Sequence, residues 1–326
     1  MADVVNDRFW EGRKVFITGA SGIVGSWLTK ALIQKKADIS ILLRDQVGHS
    51  ELFLSGDVSK VNIVRGSLES YDDIERTLNE YEIDTVFHLG AQTIVTTALR
   101  SPRSTFNANV VGTWNMLEAI RLSPLVERTI IASTDKVYGS HEKLPYTEDF
   151  ALKPLHPYDA SKASADLLAQ TYAHSYGLPL HITRCGNIYG GGDTNFDRLI
   201  PGTIRSILRG QRPVIRSDGT FQRDYLYVED IVDGYLRAAE HLDGKAKSDI
   251  FNFGMNRPLS VLEVVAAIQK VMGSRLQPLI QDKVKNEIHD QYLSSEKATK
   301  MLGWKPRTSI SEGLTMTIPW YRKHFA

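Results

Sequence analysis

Tyr158 and Lys162 stand four residues apart and form the chain's only Tyr-x-x-x-Lys pair. On a helix an i, i+4 pair shares one face. An ammonium beside a phenol favours the phenolate, lowering its pKa from about 10 towards working pH. Such a phenol can take a proton from a substrate hydroxyl as a general base. Upstream, Ser133-Thr134-Asp135-Lys136-Val137-Tyr138-Gly139 places four polar or charged side chains in succession where an apolar run ends. The plain reading is an Asx or Ser/Thr turn closing a strand. With Tyr158 close behind in sequence, the same run also reads as a second set of reacting groups.

A third cluster lies near the N-terminus. Thr18-Gly19-Ala20-Ser21-Gly22-Ile23-Val24-Gly25 links an apolar run to an amphipathic one. Glycines there let the backbone turn sharply, approach a pyrophosphate and pack the helix on the sheet. The helix start then offers N–H groups and partial positive charge to phosphates. The spacing is G-x-x-G-x-x-G, so the expectation is dinucleotide binding, by Gly19, Ser21, Gly22, Ile23 and Gly25. At the end of the second strand, where an acid selects NAD and an arginine NADP, the chain reads Leu43-Arg44-Asp45. Arg44 leads to NADP as the expected form of the NAD(P) cofactor. Asp45 could still hold a ribose, and Arg44 could be a solvated charge.

The elements that must position these groups follow from the patterning. Lys14–Thr18, Asp38–Leu43, Val61–Arg65, Asp84–Leu89 and Arg128–Ala132 read as strands. Gly22–Gln34, Tyr71–Glu80 and a long stretch within Ser101–Leu122 read as helices, with Lys35-Lys36 in the last turn of the first. This alternation predicts an α/β fold, a Rossmann-type doubly wound parallel sheet. A helix follows over Tyr158–Tyr176, then a strand over Leu180–Arg184. Helices are expected at Arg198–Arg209 and Glu229–His241, a strand at Ile250–Phe253, and a helix capped by Ser260 with Glu263. The division predicted is a dinucleotide-binding domain over 1–185 with 224–252 returning to it. A smaller α/β C-terminal substrate domain takes 186–223 and 253–326.

Composition narrows the classes. The 326 residues carry 39 Lys+Arg against 38 Asp+Glu, a formal charge of +1, which argues against a nucleic-acid binder that neutralises many phosphates. One cysteine, Cys185, gives no disulfide and no zinc spacing; no metal is expected. The N-terminus, with Asp3, Asp7 and Arg8, lacks the apolar core of a secretory signal. No apolar run approaches the ~18 residues of a membrane span. A cytoplasmic, non-membrane protein is the expectation.

These residues together resemble the extended short-chain dehydrogenase/reductases that modify nucleotide sugars. The resemblance runs nearly end to end. It adds His88-Leu89-Gly90-Ala91-Gln92, Arg184-Cys185-Gly186-Asn187-Ile188-Tyr189-Gly190, Arg223-Asp224-Tyr225 and Leu302-Gly303-Trp304-Lys305-Pro306 to the motifs above. Within the family the chain is most similar to the 4,6-dehydratases of the CDP-glucose type. Phe9 to Val15, Gly25-Ser26-Trp27-Leu28 and Thr134-Asp135-Lys136 carry that finer likeness.

The resemblance implies a mechanism. Tyr158, with Lys162, removes the C4 hydroxyl proton of an NDP-hexose, Thr134 hydrogen-bonds that oxygen, and C4 hydride passes to NAD(P)+. Asp135 then protonates the departing C6 hydroxyl while a base takes the C5 proton, and hydride returns to C6. Many such dehydratases have glutamate as that base; here the position is Lys136, which must lose its proton to serve. The resemblance also places Ser67, Leu68, Leu89 and Ala91 at the cofactor, though Ser67 stands where an aspartate is usual. Arginine suits diphosphate through paired hydrogen bonds, and Asn187, Arg198 and Arg223 are the substrate-binding candidates. Arg223 could instead pair with Asp224. His88 is assigned to the core. A homodimer through Ser101–Leu122 and Tyr158–Tyr176 is implied by the resemblance. The competing readings are a 4-epimerase, which needs no acid at C6, an NADPH-dependent 4-keto-sugar reductase, and a non-catalytic cofactor-binding protein.

Overall fold

The computed structural model describes residues 8–243, 247–283 and 287–325; the N-terminal Asp3 and Asp7 used above lie outside the described residues. Seven strands form the main sheet in the order Asp249–Phe253, Leu180–Cys185, Arg128–Thr134, Thr85–His88, Lys14–Thr18, Asp38–Leu43, Asn62–Arg65. Lys14–Thr18 pairs in parallel with both neighbours, Val15 facing Ile39 on one side and Thr85 on the other. Successive strands therefore run first one way across the sheet and then the other, which is the Rossmann arrangement. The reversal opens a crevice at the carboxyl ends of Lys14–Thr18 and Thr85–His88.

The apolar periodicities account for the packing. Phe16, Val86, Ile131 and Ile182 from the strands meet Ile74, Leu78, Met116, Leu117, Ile120 and Ala169 from the helices in one core. Helix Tyr71–Glu80 starts where Ser70 Oγ accepts the Asp73 N–H. The long stretch expected within Ser101–Leu122 is not one regular helix. It runs as Pro102–Phe106, a π-helical turn Asn107–Val111, and Gly112–Leu122. The first helix ends at Gln34 as expected, but Lys35 is its cap and Lys36 adopts φ 60°. The two lysines therefore lie past the last turn, where the chain reverses.

Contacts divide the chain into two compact units. One comprises Met1–Ser133, Leu155–Thr183 and Tyr235–Ile250; the other comprises Thr134–Pro154, Arg184–Gly234 and Phe251–Ala326. Residues 134–154, assigned to the cofactor domain in the sequence reading, pack in the second unit. Tyr146 N donates to Tyr292 O (3.0 Å), Ser294 N donates to Tyr146 O (2.9 Å), and Arg184 donates to Glu148 O (3.3 Å). The segment 224–234 lies there too, because Trp304 Nε1 donates to Asp230 O (2.8 Å) and the indole stands edge-on to Phe253. Helix Val261–Met272 begins with the expected capping box of Ser260 and Glu263. Helices Glu296–Leu302 and Ile310–Phe325 complete the unit.

Asp224 is the buried pin of this second unit. Its carboxylate accepts Met255 N–H and Leu293 N–H, both at 2.8 Å. Gly186 and Gly254 pack so closely on it that a Cβ at either would fall within 2.7 Å of its side chain. Burial pushes its pKa from 3.8 up to about 7. The folded chain thus keeps a proton that the unfolded chain has lost, so Asp224's contribution is full below pH 3.8 and is lost as pH rises through about 7. Unfolding free energy, followed by urea denaturation from pH 4 to 8, should fall across that window. In Asp224→Asn that slope should flatten, on top of a loss of about 1–3 kcal/mol from the acceptor removed. Equal slopes in the two proteins would refute this account.

Candidate active site

In the first unit the glycine loop is closed by backbone against backbone. Gly22 N donates to Gly19 O (2.9 Å), and Ser26 Oγ donates to Ala20 O and Gly22 O. Gly19 has φ 75°, and a Cβ there would lie 2.8 Å from Gly90 N. At Gly25 a Cβ would lie 2.1 Å from Gly19 O. No side chain caps helix Ile23–Gln34, so its first turn presents N–H groups to an anion. This is a cradle that fits a dinucleotide's phosphates, with Ser21 and Ile23 at its rim.

The floor beneath the loop is polar and buried. Thr18 Oγ1 accepts Gly90 N–H (3.0 Å) and lies 2.9 Å from His88 Nδ1, while His88 Nε2 lies 3.0 Å from Thr113 Oγ1. Burial first, and then the positive charge of Lys162, lower the His88 pKa to about 3. His88 is thus a neutral core imidazole, as its type and position suggested. Leu68 packs beneath Gly112, its carbonyl accepting from Asn115 (3.0 Å). Ser67, Leu89 and Ala91 are partly buried beside this floor. Arg44 and Asp45 pair with each other at 2.7 Å and are both exposed.

Tyr158 and Lys162 lie on one face of helix Pro157–Tyr176, and both are buried. Lys162 Nζ donates to Ala132 O at 2.6 Å. One turn on, Asp166 accepts from Ser133 Oγ at 2.7 Å and from Gln170. A residue absent from the sequence reading completes the arrangement. Asn109, buried in the π-helical turn, accepts Gln92 N–H (2.7 Å) and donates to Gln92 O (3.1 Å) and to Ser161 Oγ (2.8 Å). Ser161 in turn donates to Tyr158 O. The signal in the sequence was an asparagine inside an apolar helical run, and π turns of this kind recur at functional sites.

In the second unit, Thr134 closes the turn Asp135–Tyr138. Its hydroxyl accepts Lys136 N–H (3.3 Å) and donates to Asp135 Oδ1 (3.0 Å). The Ser/Thr turn and the reacting cluster are thus the same residues. Asp135 is only 1% exposed, and its Oδ2 has no hydrogen-bond partner. Burial raises its pKa, against the lowering influence of Lys136, Thr134 and Arg223. Tyr138 donates to Asn252 Oδ1 and accepts from Arg184, which makes that part of the run structural.

The substrate candidates are more engaged than their types suggested. Arg223 does not pair with Asp224; it donates to the carbonyls of Gln222, His289 and Ile288. Arg198 is bound to Asp193 at 3.0 Å. Asn187 pairs along the backbone with Tyr225 and is half-buried. Cys185 is buried.

With this geometry in view, a protein-family model described as GDP-mannose 4,6 dehydratase matches residues 16–317. The chain belongs to that family, in the nucleotide-sugar dehydratase/epimerase group of the extended short-chain dehydrogenase/reductases. A trifunctional UDP-glucose 4,6-dehydratase/3,5-epimerase/reductase of Arabidopsis thaliana is 32% identical over 97% of the chain and 48% of the relative. The chain thus spans about half the length of that relative. The CDP-glucose 4,6-dehydratase of Salmonella typhimurium is 28% identical over 98% of the chain and 93% of that protein. Among solved structures, a UDP-glucuronic acid 4-epimerase from Bacillus cereus, in complex with UDP-glucuronic acid and NAD, superposes with TM-score 0.85 at 25% identity. That match covers 95% of this chain and 99% of the epimerase.

The family's glycine loop and Tyr-Lys helix thus sit on a floor whose alignment depends on Asn109. Replacing Asn109 by Ala takes away the partner of Gln92 N–H and Gln92 O and the donor to Ser161 Oγ, and a buried group left unpaired costs about 1–3 kcal/mol. The variant should lose stability on that scale in urea titrations, and its turnover should fall further than its stability alone accounts for. Wild-type turnover by folded Asn109→Ala would remove Asn109 from the positioning scheme.

Proposed function

We propose that the chain is an NAD(P)-dependent nucleotide-sugar 4,6-dehydratase. The observation that carries this reading is Asp135: a buried carboxyl, raised in pKa, with one oxygen unpartnered. A carboxyl whose hold on its proton is strengthened by burial is suited to hand it to a departing hydroxyl, and a 4-epimerase has no such step. A bound NAD(P) supplies the oxidant for C4 and the reductant for C6, and emerges unchanged. Gly19, Ser21, Gly22, Ile23 and Gly25 would hold its pyrophosphate, with Ser67, Leu68, Leu89 and Ala91 beside the adenosine and nicotinamide halves. Arg44, tied to Asp45, is the reason to keep NADP as the preferred form, although the related epimerase holds NAD.

On this reading the first unit carries the oxidation and the second the elimination. Tyr158 takes the C4 hydroxyl proton, with Lys162 fixed by Ala132 O so that its charge stays beside the phenol. Asp135 protonates the C6 hydroxyl, and Thr134 orients Asp135 through Oδ1. Lys136 stands at the C5-base position. Asn187, Arg198 and Arg223 serve the sugar nucleotide, Arg223 by ordering the carbonyls at 288–289 as well as by charge. Glucose is the hexose that the dehydratase relatives name, attached to UDP in one and CDP in another; CDP-glucose is the substrate that the opening residues favour. The second reading, a 4-epimerase, is favoured by one observation: a lysine at position 136 in place of a carboxylate base.

Incubation with CDP-, UDP-, GDP- and dTDP-hexoses and trace cofactor, followed by mass analysis, tests the assignment. Loss of one water without net cofactor reduction is expected; a product of unchanged mass would transfer the assignment to the epimerase. Asp135→Asn should slow dehydration at least a hundredfold, in line with loss of a general acid, while transient cofactor reduction persists. In the wild type, dehydration should decline on the alkaline side as Asp135 loses its proton, at a pH above that of an ordinary aspartate.

A homodimer is part of the same proposal. Trp114 and Leu122 on Gly112–Leu122, and Leu167 and Tyr176 on Pro157–Tyr176, are each more than half exposed. Two neighbouring helices thus present an apolar face of the kind that covers itself in a symmetric pair. Leu167→Glu should halve the mass seen by light scattering with folding intact; an unchanged mass would place any interface elsewhere. The buried lone Cys185 suits a cytoplasmic setting.

A further inference from the structure

Two buried atoms of the second unit, Asp135 Oδ2 and Gln291 Nε2, lack hydrogen-bond partners. Gln291 lies opposite Arg223 in the parallel pairing of Asp290–Gln291 with Gln222–Arg223, so their side chains leave the same face of that small sheet. The Arg223 guanidinium donates to Ile288 O (2.5 Å) and His289 O (2.6 Å), fixing the chain just before Gln291. The positive charge of Arg223 also reaches Asp135. Tyr146 feels Asp135, Arg223 and Asp290 together, and its backbone is bonded to Tyr292 and Ser294. A carboxyl oxygen and an amide N–H thus stand buried and unanswered in one unit, the amide opposite Arg223 in the small sheet and the carboxyl within reach of its charge. Gln291 is 1% exposed, and buried amides are nearly always paired.

We propose that Gln291 is a sugar-binding residue whose side-chain amide donates to a hexose hydroxyl oxygen, on the substrate that offers its C6 hydroxyl to Asp135. This rests on the nucleotide-sugar reading above and adds to it the group that recognises the hexose. A hydroxyl answers both atoms, since its oxygen can accept from a protonated carboxyl and from an amide. A diphosphate would look to the guanidinium nearby for its charge, and that group is already engaged with carbonyls.

The test uses the full chain and calorimetric titration with UDP-, CDP- and dTDP-glucose, and with UDP, CDP and dTDP alone. Gln291→Leu should weaken binding of the preferred nucleotide-glucose about tenfold, the loss of one buried hydrogen bond, and leave the matching free diphosphate unchanged. Its melting temperature without ligand should equal or exceed that of the wild type, because an unpaired buried donor has gone. Gln291→Glu, which keeps the shape but offers an acceptor, should weaken the sugar nucleotide as well and serves if the leucine variant does not fold. Equal weakening of the free diphosphate would put the amide on phosphate and overturn the proposal. Unchanged sugar affinity would overturn it too, and a lowered melting temperature would then make Gln291 structural. If the wild type binds none of the six compounds, the functional reading itself fails, and the proposal with it.

Discussion

Two side chains one helical turn apart fix the end of the central strand Arg128–Thr134. Lys162 donates to Ala132 O, and Asp166 accepts from Ser133 Oγ. The bond to Ala132 O holds the Lys162 ammonium against the strand end. The same clamp sets the direction in which the backbone leaves the sheet.

Buried polarity is handled in two different ways. Beneath the glycine loop every group is answered: Thr18, His88, Thr113, Gly90, Gln92, Asn109 and Ser161 form local chains of hydrogen bonds, and the imidazole is held neutral. Such closed networks make a surface rigid and give it no proton to trade. Around Arg223 the opposite holds. Asp135 and Gln291 each keep an unanswered atom in the interior, an arrangement that weakens the empty fold and rewards a ligand with matching hydroxyls. The contrast separates a platform from a recognition surface without reference to any relative.

Much of this was legible in the sequence because it is local. Alternation of apolar runs and amphipathic stretches marks the strands and helices of the Rossmann sheet, and glycines at 19, 22 and 25 are dictated by backbone contacts under 3.4 Å that a Cβ would violate. Tyr158 and Lys162 follow from a four-residue spacing. What the sequence hid is what depends on distant partners. The packing of 134–154 rests on Tyr146 meeting Tyr292 and Ser294, nearly 150 residues on. Arg223 reads as a phosphate ligand by type, yet its guanidinium is spent largely on the carbonyls of 288 and 289. Asn109 reads as a polar lapse in a helix, because nothing local shows the π turn that aims it.

The lysine at position 136 bears on the acid as much as on the missing base. A glutamate there would add negative charge beside Asp135 and push its pKa higher still. Lys136 does the reverse, so burial alone must raise Asp135, against Lys136, the Thr134 hydroxyl and Arg223 together. The upward shift at Asp135 therefore comes from exclusion of water and not from a neighbouring carboxylate. That makes it sensitive to how well the site is closed: admitting water relaxes the desolvation, and the two cations then favour the ionised form. On the dehydratase proposal, elimination should accordingly depend on a dry, occupied site.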